Sequence, residues 1–125
     1  MILILGALEG EIQAFAENGE DMHTVETAFF TCMKGKLFGI PAVIAATGVG
    51  KVLAALAAQY LIDCYNPEAV IMLGAAGGLR QNMNIGDIII ATDCLQYDFD
   101  ATAFGFKIGE IPYQRIGPIE CDNRM

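Results

Sequence analysis

The sequence predicts an α/β fold built on a sheet with parallel, buried strands. An apolar segment, Ala69–Leu73, is followed by a turn of glycine and alanine alone, Gly74–Gly78, and then by a β-branched segment, Asp87–Ala91. A continuous apolar run bounded by turn residues is typical of a central strand buried on both faces. Hydrophobic residues make up 54% of the chain, which fits either such a sheet or apolar surface kept for a partner.

Bulk composition limits the class of protein. At 125 residues the chain is expected to form one domain, residues 1–125. A net charge of −8 with scattered basic residues argues against nucleic-acid binding. The apolar run Val52–Ile62 is too short to span a bilayer, and no charged-then-apolar leader precedes Ile2. We therefore expect a cytoplasmic protein without a membrane or nucleic-acid partner.

The cysteines and the single histidine give no indication of a metal centre or a disulfide scaffold. The cysteines are widely spaced and show no CxxC or CxH pattern. We predict reduced, mostly buried thiols, a surface position for His23, no metal and no cofactor. The cysteines are Cys32, Cys64, Cys94 and Cys121.

The first part of the chain is predicted to form a strand, a helix and a β-hairpin. Met1–Leu5 is a short apolar strand, and the helix after it carries acidic residues in its first turn, where they favour the helix dipole. Ile12, Phe15 and Ala16 lie at helical spacing and should face the core. We expect a loop over Glu17–His23, a strand within Thr24–Lys36, a turn at Gly39–Pro41 and a strand at Ala42–Ala46.

A second helix is predicted over Val52–Tyr65, between the glycine-rich turn Thr47–Lys51 and Asn66-Pro67. It is apolar almost all round, so it should be buried. Beyond Thr92 the pattern weakens, and aromatic residues spread through an acidic stretch indicate a surface that something covers. They are Tyr97, Phe99, Phe104 and Phe106.

Small-residue turns follow three of the predicted strands, at Gly6-Ala7, Gly48–Gly50 and Gly74–Gly78. If the strands are parallel neighbours, their turns line one sheet edge and form a small-molecule crevice. Tight packing of helix on sheet explains the same residues equally well. Neither GxxxxGK[ST] nor GxGxxG is present, which argues against a nucleotide-phosphate or dinucleotide site.

Carboxylates near this edge are the candidates for acid–base chemistry. Glu9 or Glu11 could act as a general base, although composition alone favours first-turn residues that only complement the dipole. Asp98 and Asp100 are interpreted as exposed loop acids. No Ser-His-Asp or Cys-His arrangement is present.

Four motifs, in order, resemble those of the 5′-methylthioadenosine/S-adenosylhomocysteine nucleosidases. Gly6–Glu11 is similar to their GAMEEE opening, and Thr47–Val52 to their (S/T)G(I/V)GKV turn. Gly74–Leu79 with Ile85–Ile88 resembles GSAGGL…GD(I/V)V, and Asp98–Gly105 resembles their TAFGY segment. The resemblance covers essentially the whole chain. It implies a nucleoside phosphorylase-like fold, a mixed sheet flanked by helices, and a homodimer.

The resemblance also implies hydrolysis of the bond between adenine and a 5′-thioribose, a reaction of methionine salvage. One carboxylate activates water for attack at the anomeric carbon, and this role falls on Glu11. A carboxylic acid protonates adenine N7. The positions near ribose and water are Leu8, Val49, Ala75, Ala76 and Gly77, and those lining the partner subunit's 5′-alkylthio pocket are Ala101, Phe104 and Pro112.

Two departures from the family pattern affect the expected chemistry. Ala75 stands where the family usually carries serine, and the chain has about half the family's length, so we expect a truncated fold. The segments for adenine, the ribose hydroxyls and the general acid have no counterpart here. A non-catalytic homologue that binds nucleoside or dimerises is the alternative, and a phosphorolytic relative ranks below both.

Overall fold

The computed structural model describes residues 1–113 and 117–123, and the chain divides into two compact units, residues 1–77 and 78–125. The first unit contains five strands and two helices. The strands are β1 (Ile2–Gly6), β2 (Glu20–Glu26), β3 (Thr31–Leu37), β4 (Ile40–Ala46) and β5 (Ala69–Met72), and the helices are α1 (Glu9–Glu17) and α2 (Lys51–Tyr65).

The five strands form one mixed sheet in the order β2-β3-β4-β1-β5. β1 is parallel to both of its neighbours, and Ile4 lies opposite Ile44 on β4 and Ile71 on β5. The β2–β3 and β3–β4 pairs are antiparallel. The predicted hairpin before Ala46 is therefore present, and β4, β1 and β5 are the parallel neighbours whose carboxyl ends meet at one edge.

Side chains that alternate along β1 and β4 build the core on both faces of the sheet. On one face Leu3, Leu5 and Val43 pack against Leu61 of α2. On the other, Ile4 and Ile44 pack with Ile12 of α1. Each helix thus covers one face, which confirms the predicted mixed sheet flanked by helices. Of the predicted core positions on α1, Ile12 is buried, while Phe15 and Ala16 are half-buried.

The loop predicted over Glu17–His23 is wrong, because β2 begins at Glu20. The single strand predicted within Thr24–Lys36 is in fact two strands separated by a turn, in which the Thr27 hydroxyl oxygen accepts hydrogen bonds from the backbone N–H groups of Phe29 and Phe30. β2 lies at the edge of the sheet, where polar side chains can stay in water while the backbone pairs with β3.

The burial predicted for the second helix and for the strand at Ala69–Leu73 is also wrong for this chain. In α2, Val52 is 81% exposed and Leu56 43%, because the sheet covers only one side of the helix. β5 lies at the edge of the sheet rather than at its centre, and its residues are alternately half-buried and exposed. Asn66 ends α2 as predicted, in a left-handed conformation.

The second unit contains little regular structure. A two-stranded antiparallel sheet pairs β6 (Asp93–Cys94) with β7 (Ile119–Glu120), and a short 3-10 helix spans Thr102–Phe104. The strand predicted at Asp87–Ala91 is not formed, and Ile88–Ile90 are exposed. A β-branched segment becomes a strand only when a neighbouring strand pairs with its backbone groups, and this segment has no such neighbour in the described part of the chain.

The four cysteines are free, but only Cys32 is buried, so the prediction of mostly buried thiols is wrong. His23 is exposed, in agreement with its predicted surface position. Within residues 1–113 and 117–123, no helix has the length and apolar character needed to cross a membrane. The same residues contain no group of three or more histidine, cysteine or acidic side chains placed to hold a metal.

Gly6 sets the distance between β1 and α1. A Cβ atom at this position would lie 2.7 Å from Cγ2 of Ile12 and 3.3 Å from Cβ of Glu11. We expect Gly6→Ala to push α1 away from the sheet and to lower the free energy of unfolding by about 1–3 kcal/mol, the usual effect of overpacking. Urea unfolding followed by circular dichroism measures this change.

Gly10→Ala is the matched control, because in the described part of the chain no atom outside the neighbouring residues and backbone of α1 lies within 4 Å of a Cβ atom there. Alanine in place of this glycine in α1 should raise stability by about 0.5–1 kcal/mol. Equal stability of the two variants would contradict the close approach at Gly6.

Candidate active site

The turns that follow the parallel strands meet at the carboxyl edge of the sheet, as the sequence predicts. Backbone hydrogen bonds continue past the strand ends: Thr47 N–H donates to Gly6 O at 2.8 Å, and Gly48 N–H donates to Ala7 O at 3.1 Å. On the other side of β1, Leu73 N–H donates to Leu5 O at 2.9 Å. The backbone at this edge is therefore fixed on both sides of β1.

Glu11 connects two of these turns through its carboxylate. Oε2 accepts hydrogen bonds from the backbone N–H groups of Ala7 at 2.8 Å and Leu8 at 2.9 Å. Oε1 accepts a hydrogen bond from the N–H of Ala75 at 3.0 Å. One side chain in the first turn of α1 thus holds together the segment after β1 and the segment after β5.

These hydrogen bonds determine the charge of the group. The N–H groups of Leu8, Ala75 and Ala7 lower the pKa of Glu11, with the Leu8 bond contributing most, and desolvation opposes them only in part. Glu11 is consequently a carboxylate at neutral pH. A carboxylate offers about four acceptor positions. Among residues 1–113 and 117–123, the donors to Glu11 use both positions of Oε2 and one of Oε1, so the open position is on Oε1.

Gly74 lies in the predicted small-residue turn Gly74–Gly78, but the sequence reasoning assigned it no individual role. A Cβ atom at Gly74 would lie 2.8 Å from Oε1 of Glu11 and 3.1 Å from its Cδ, so a side chain there would displace the carboxylate. Thr47 was also not singled out, although it is buried and its hydroxyl lies within hydrogen-bond distance of Gly6 O and Gly48 O. The run of small residues after each strand was the available signal.

The other predicted positions of the first unit line an open edge. Leu8 is 54% exposed and Val49 71% exposed. Ala75–Gly77 are exposed as well. Leu8 and Ala75 come together because both donate to Glu11. Glu9, the other candidate base, is exposed in the same helical turn, and the three backbone bonds distinguish Glu11 from it.

The remaining predicted positions lie in the second unit. Ala101 is buried, Phe104 is 82% exposed and Pro112 is half-buried. Asp100 Oδ1 accepts a hydrogen bond from Thr102 N–H at 2.8 Å, and the side-chain and backbone bonds of Thr102 lower the pKa of this carboxyl. Asp98 and Asp100 are both exposed, as predicted, and Asp100 stabilises the start of the short helix that carries Phe104.

Comparison with known proteins places this architecture in a family. The sequence matches the phosphorylase superfamily over residues 1–125. The chain belongs to the phosphorylase superfamily. Among curated relatives, the 5′-methylthioadenosine/S-adenosylhomocysteine nucleosidase of Staphylococcus haemolyticus is 38% identical over 112 residues, which are 90% of this chain and 49% of that protein. The nucleosidase of the same name from Pseudoalteromonas translucida is 37% identical over 114 residues, 91% and 48% of the two chains.

Solved structures agree with this membership of the phosphorylase superfamily. A nucleosidase from Colwellia psychrerythraea in complex with adenine superimposes with a TM-score of 0.93 at 35% identity, covering 98% of this chain and 50% of that one. The Neisseria meningitidis nucleosidase in complex with methylthio-immucillin-A superimposes with a TM-score of 0.91 at 35% identity, covering 98% of this chain and 52% of that one. The predicted nucleoside phosphorylase-like fold is confirmed, and the chain spans about half the length of the relatives it matches.

The lowered pKa of Glu11 predicts how stability changes in acid. The folded value lies below the unfolded value of about 4.3, so the stabilisation is fully present above that pH and is lost as pH falls through the folded pKa. We expect the difference in unfolding free energy between the wild type and Glu11→Gln to shrink as the pH is lowered from 6 to 3. Urea midpoints across this range measure it.

Glu9→Gln is the control for this titration, because it removes the same charge from the same exposed turn without removing the three backbone hydrogen bonds. The Glu9→Gln variant should lose unfolding free energy in acid as the wild type does, because Glu11 is intact in it. Glu68, whose pKa is lowered by the Met1 amine at 2.7 Å, leaves a residual slope in every variant. A constant difference between the wild type and Glu11→Gln would contradict the assignment.

Proposed function

We propose that this chain carries the water-activating site of a nucleosidase that hydrolyses the N-glycosidic bond of 5′-methylthioadenosine and S-adenosylhomocysteine and releases adenine. The observation that carries the proposal is the Glu11 carboxylate, held ionised at the shared edge of three parallel strands with one acceptor position open. Relatives and structural neighbours named as nucleosidases of this specificity support it, including one with adenine bound.

Glu11 orients a water molecule through the open position on Oε1. Since Ala75 holds the same oxygen from one side, the water is confined to the remaining direction. Glycoside hydrolysis passes through an oxocarbenium-like transition state, in which positive charge develops at the anomeric carbon before water bonds to it. The three N–H donors weaken Glu11 as a base, so it takes the water proton only as the new C–O bond forms.

Substrate contacts follow from the predicted positions. We assign the ribose to the exposed backbone of Ala75–Gly77, and the exposed Leu8 and Val49 side chains would offer apolar surface beside it. Ala101, Phe104 and Pro112 are proposed to line the 5′-alkylthio pocket of a partner subunit, with Phe104 82% exposed and able to reach a second copy. The proposal therefore includes a homodimer, and the resemblance to the nucleosidases extends it to a cytoplasmic role in methionine salvage.

Leaving-group protonation limits the rate we expect. In the nucleosidases that the sequence resembles, an aspartic acid protonates adenine N7. This residue has no counterpart among these 125 residues. General-acid help is worth about 10²–10⁴-fold, so we expect adenine release by this chain to be slow.

The test is an assay of adenine release from 5′-methylthioadenosine by the 125-residue chain, in which chromatography measures the adenine. We expect slow release that Glu11→Gln lowers by about 10²-fold or more, because the amide cannot take the water proton. Glu9→Gln, which changes the same charge in the same turn, should keep the wild-type rate.

Equal rates for Glu11→Gln and the wild type would contradict the catalytic assignment. An absence of release from folded wild type would favour the alternative, a non-catalytic homologue that binds nucleoside or dimerises. The exposed apolar side of α2 suits the dimerisation that both hypotheses include, so it does not separate them. Calorimetric titration with 5′-methylthioadenosine and light scattering would then separate nucleoside binding from self-association.

A further inference from the structure

Cys94 and Cys121 form a close pair of thiols that the proposed function does not use. Both are free and exposed, and their Sγ atoms are 3.9 Å apart although the residues are 27 positions apart in sequence. We propose that this pair is a modification site, a dithiol that a hydroperoxide oxidises to an intramolecular disulfide.

Strand pairing in the second unit is what brings the two thiols together. Asp93 lies opposite Glu120 and Cys94 opposite Ile119, and the ladder continues with a hydrogen bond from Cys121 N–H to Thr92 O at 2.9 Å. Cys121 is two residues beyond Ile119 and therefore lies on the same face as Cys94. The two side chains are diagonal neighbours on one face of a β-ribbon.

Bond formation requires the two sulfur atoms to approach and the two short strands to adjust. A disulfide bond is about 2.05 Å long, so the sulfur atoms must approach by about 1.9 Å from their separation of 3.9 Å. β6 and β7 have two residues each, all of them exposed, so no packed core resists the adjustment. The antiparallel ladder already holds the two strands side by side.

The reaction balances with hydrogen peroxide as the oxidant. The Cys94 sulfur attacks one peroxide oxygen, the O–O bond breaks, and a sulfenic acid and water form. The Cys121 sulfur then attacks the Cys94 sulfur, the S–O bond breaks, and the hydroxide leaves as a second water with the released proton. Two thiols thus give two electrons to one peroxide. Desolvation and the neighbouring Cys94 thiol raise the pKa of Cys121, which lowers its thiolate fraction, so we assign the attack on peroxide to Cys94 and only the second, intramolecular step to Cys121.

Oxidation would close a ring around the segment that carries Ala101, Phe104 and Pro112. A cross-link removes chain entropy from open forms of the enclosed segment. The oxidised chain should therefore resist proteolysis between the two cysteines, at Lys107 for example, more than the reduced chain does.

The experiment treats the 125-residue chain with hydrogen peroxide, blocks remaining thiols with N-ethylmaleimide, and maps peptides with and without reduction. Cleavage after Lys107 places Cys94 and Cys121 in different peptides. A disulfide between them is therefore detected as two linked peptides that separate on reduction. We expect Cys94 and Cys121 to lose maleimide labelling in parallel, while Cys64, exposed on α2, keeps it. Dithiothreitol should restore both thiols.

Serine variants separate this disulfide from general oxidation. Cys94→Ser should abolish the linked peptides and leave Cys121 open to labelling, and Cys64→Ser should behave as the wild type. Circular dichroism confirms that each variant is folded. Unchanged labelling of Cys121 after peroxide would overturn the proposal. A cross-link whose yield rises with protein concentration, or one joining other cysteines, would overturn it as well.

Discussion

The binding of the Glu11 carboxylate by three backbone N–H groups is the interaction on which the rest of the site depends. Two of the donors, Ala7 and Leu8, follow β1, and the third, Ala75, follows β5. A carboxylate fits between the two segments only because Gly74 has no side chain there. The same bonds hold the group ionised and leave one acceptor position for water, so the geometry that closes the sheet edge also prepares the proposed chemistry.

The order of the strands determines where this interaction lies, and it also leaves apolar surface of the first unit exposed. With β1 between β4 and β5, three carboxyl ends meet at one edge, and backbone hydrogen bonds hold them in register beyond the strands. The two faces of the sheet are covered by one helix each, but α2 and β5, the outermost strand on one side of the sheet, expose apolar residues such as Val52 and Val70. That exposed surface suits association with further protein, as the proposed homodimer requires.

The sequence was sufficient to predict the elements that depend on local patterns. The strand before Gly6, the start of α1 and the end of α2 at Asn66 follow from apolar runs and turn residues. Elements that depend on a partner strand could not be predicted: β2 is polar and exists because β3 pairs with it, whereas Asp87–Ala91 is β-branched and has no partner in the described chain. Glu9 and Glu11 are the same residue type in the same helical turn, so the local pattern does not distinguish them. In the fold, the Ala75 N–H donates to Glu11.

Direct titration of Glu11 tests the account most directly. Carboxyl-carbon NMR of the labelled chain, with Glu11→Gln for assignment, would give its pKa, and the amide signals of Ala7, Leu8 and Ala75 would report their bonds to it. We predict a pKa below the ordinary glutamate value of about 4.3, with all three amide signals shifting at the same midpoint. A midpoint at or above the ordinary value, with the Ala75 amide unmoved, would contradict the account.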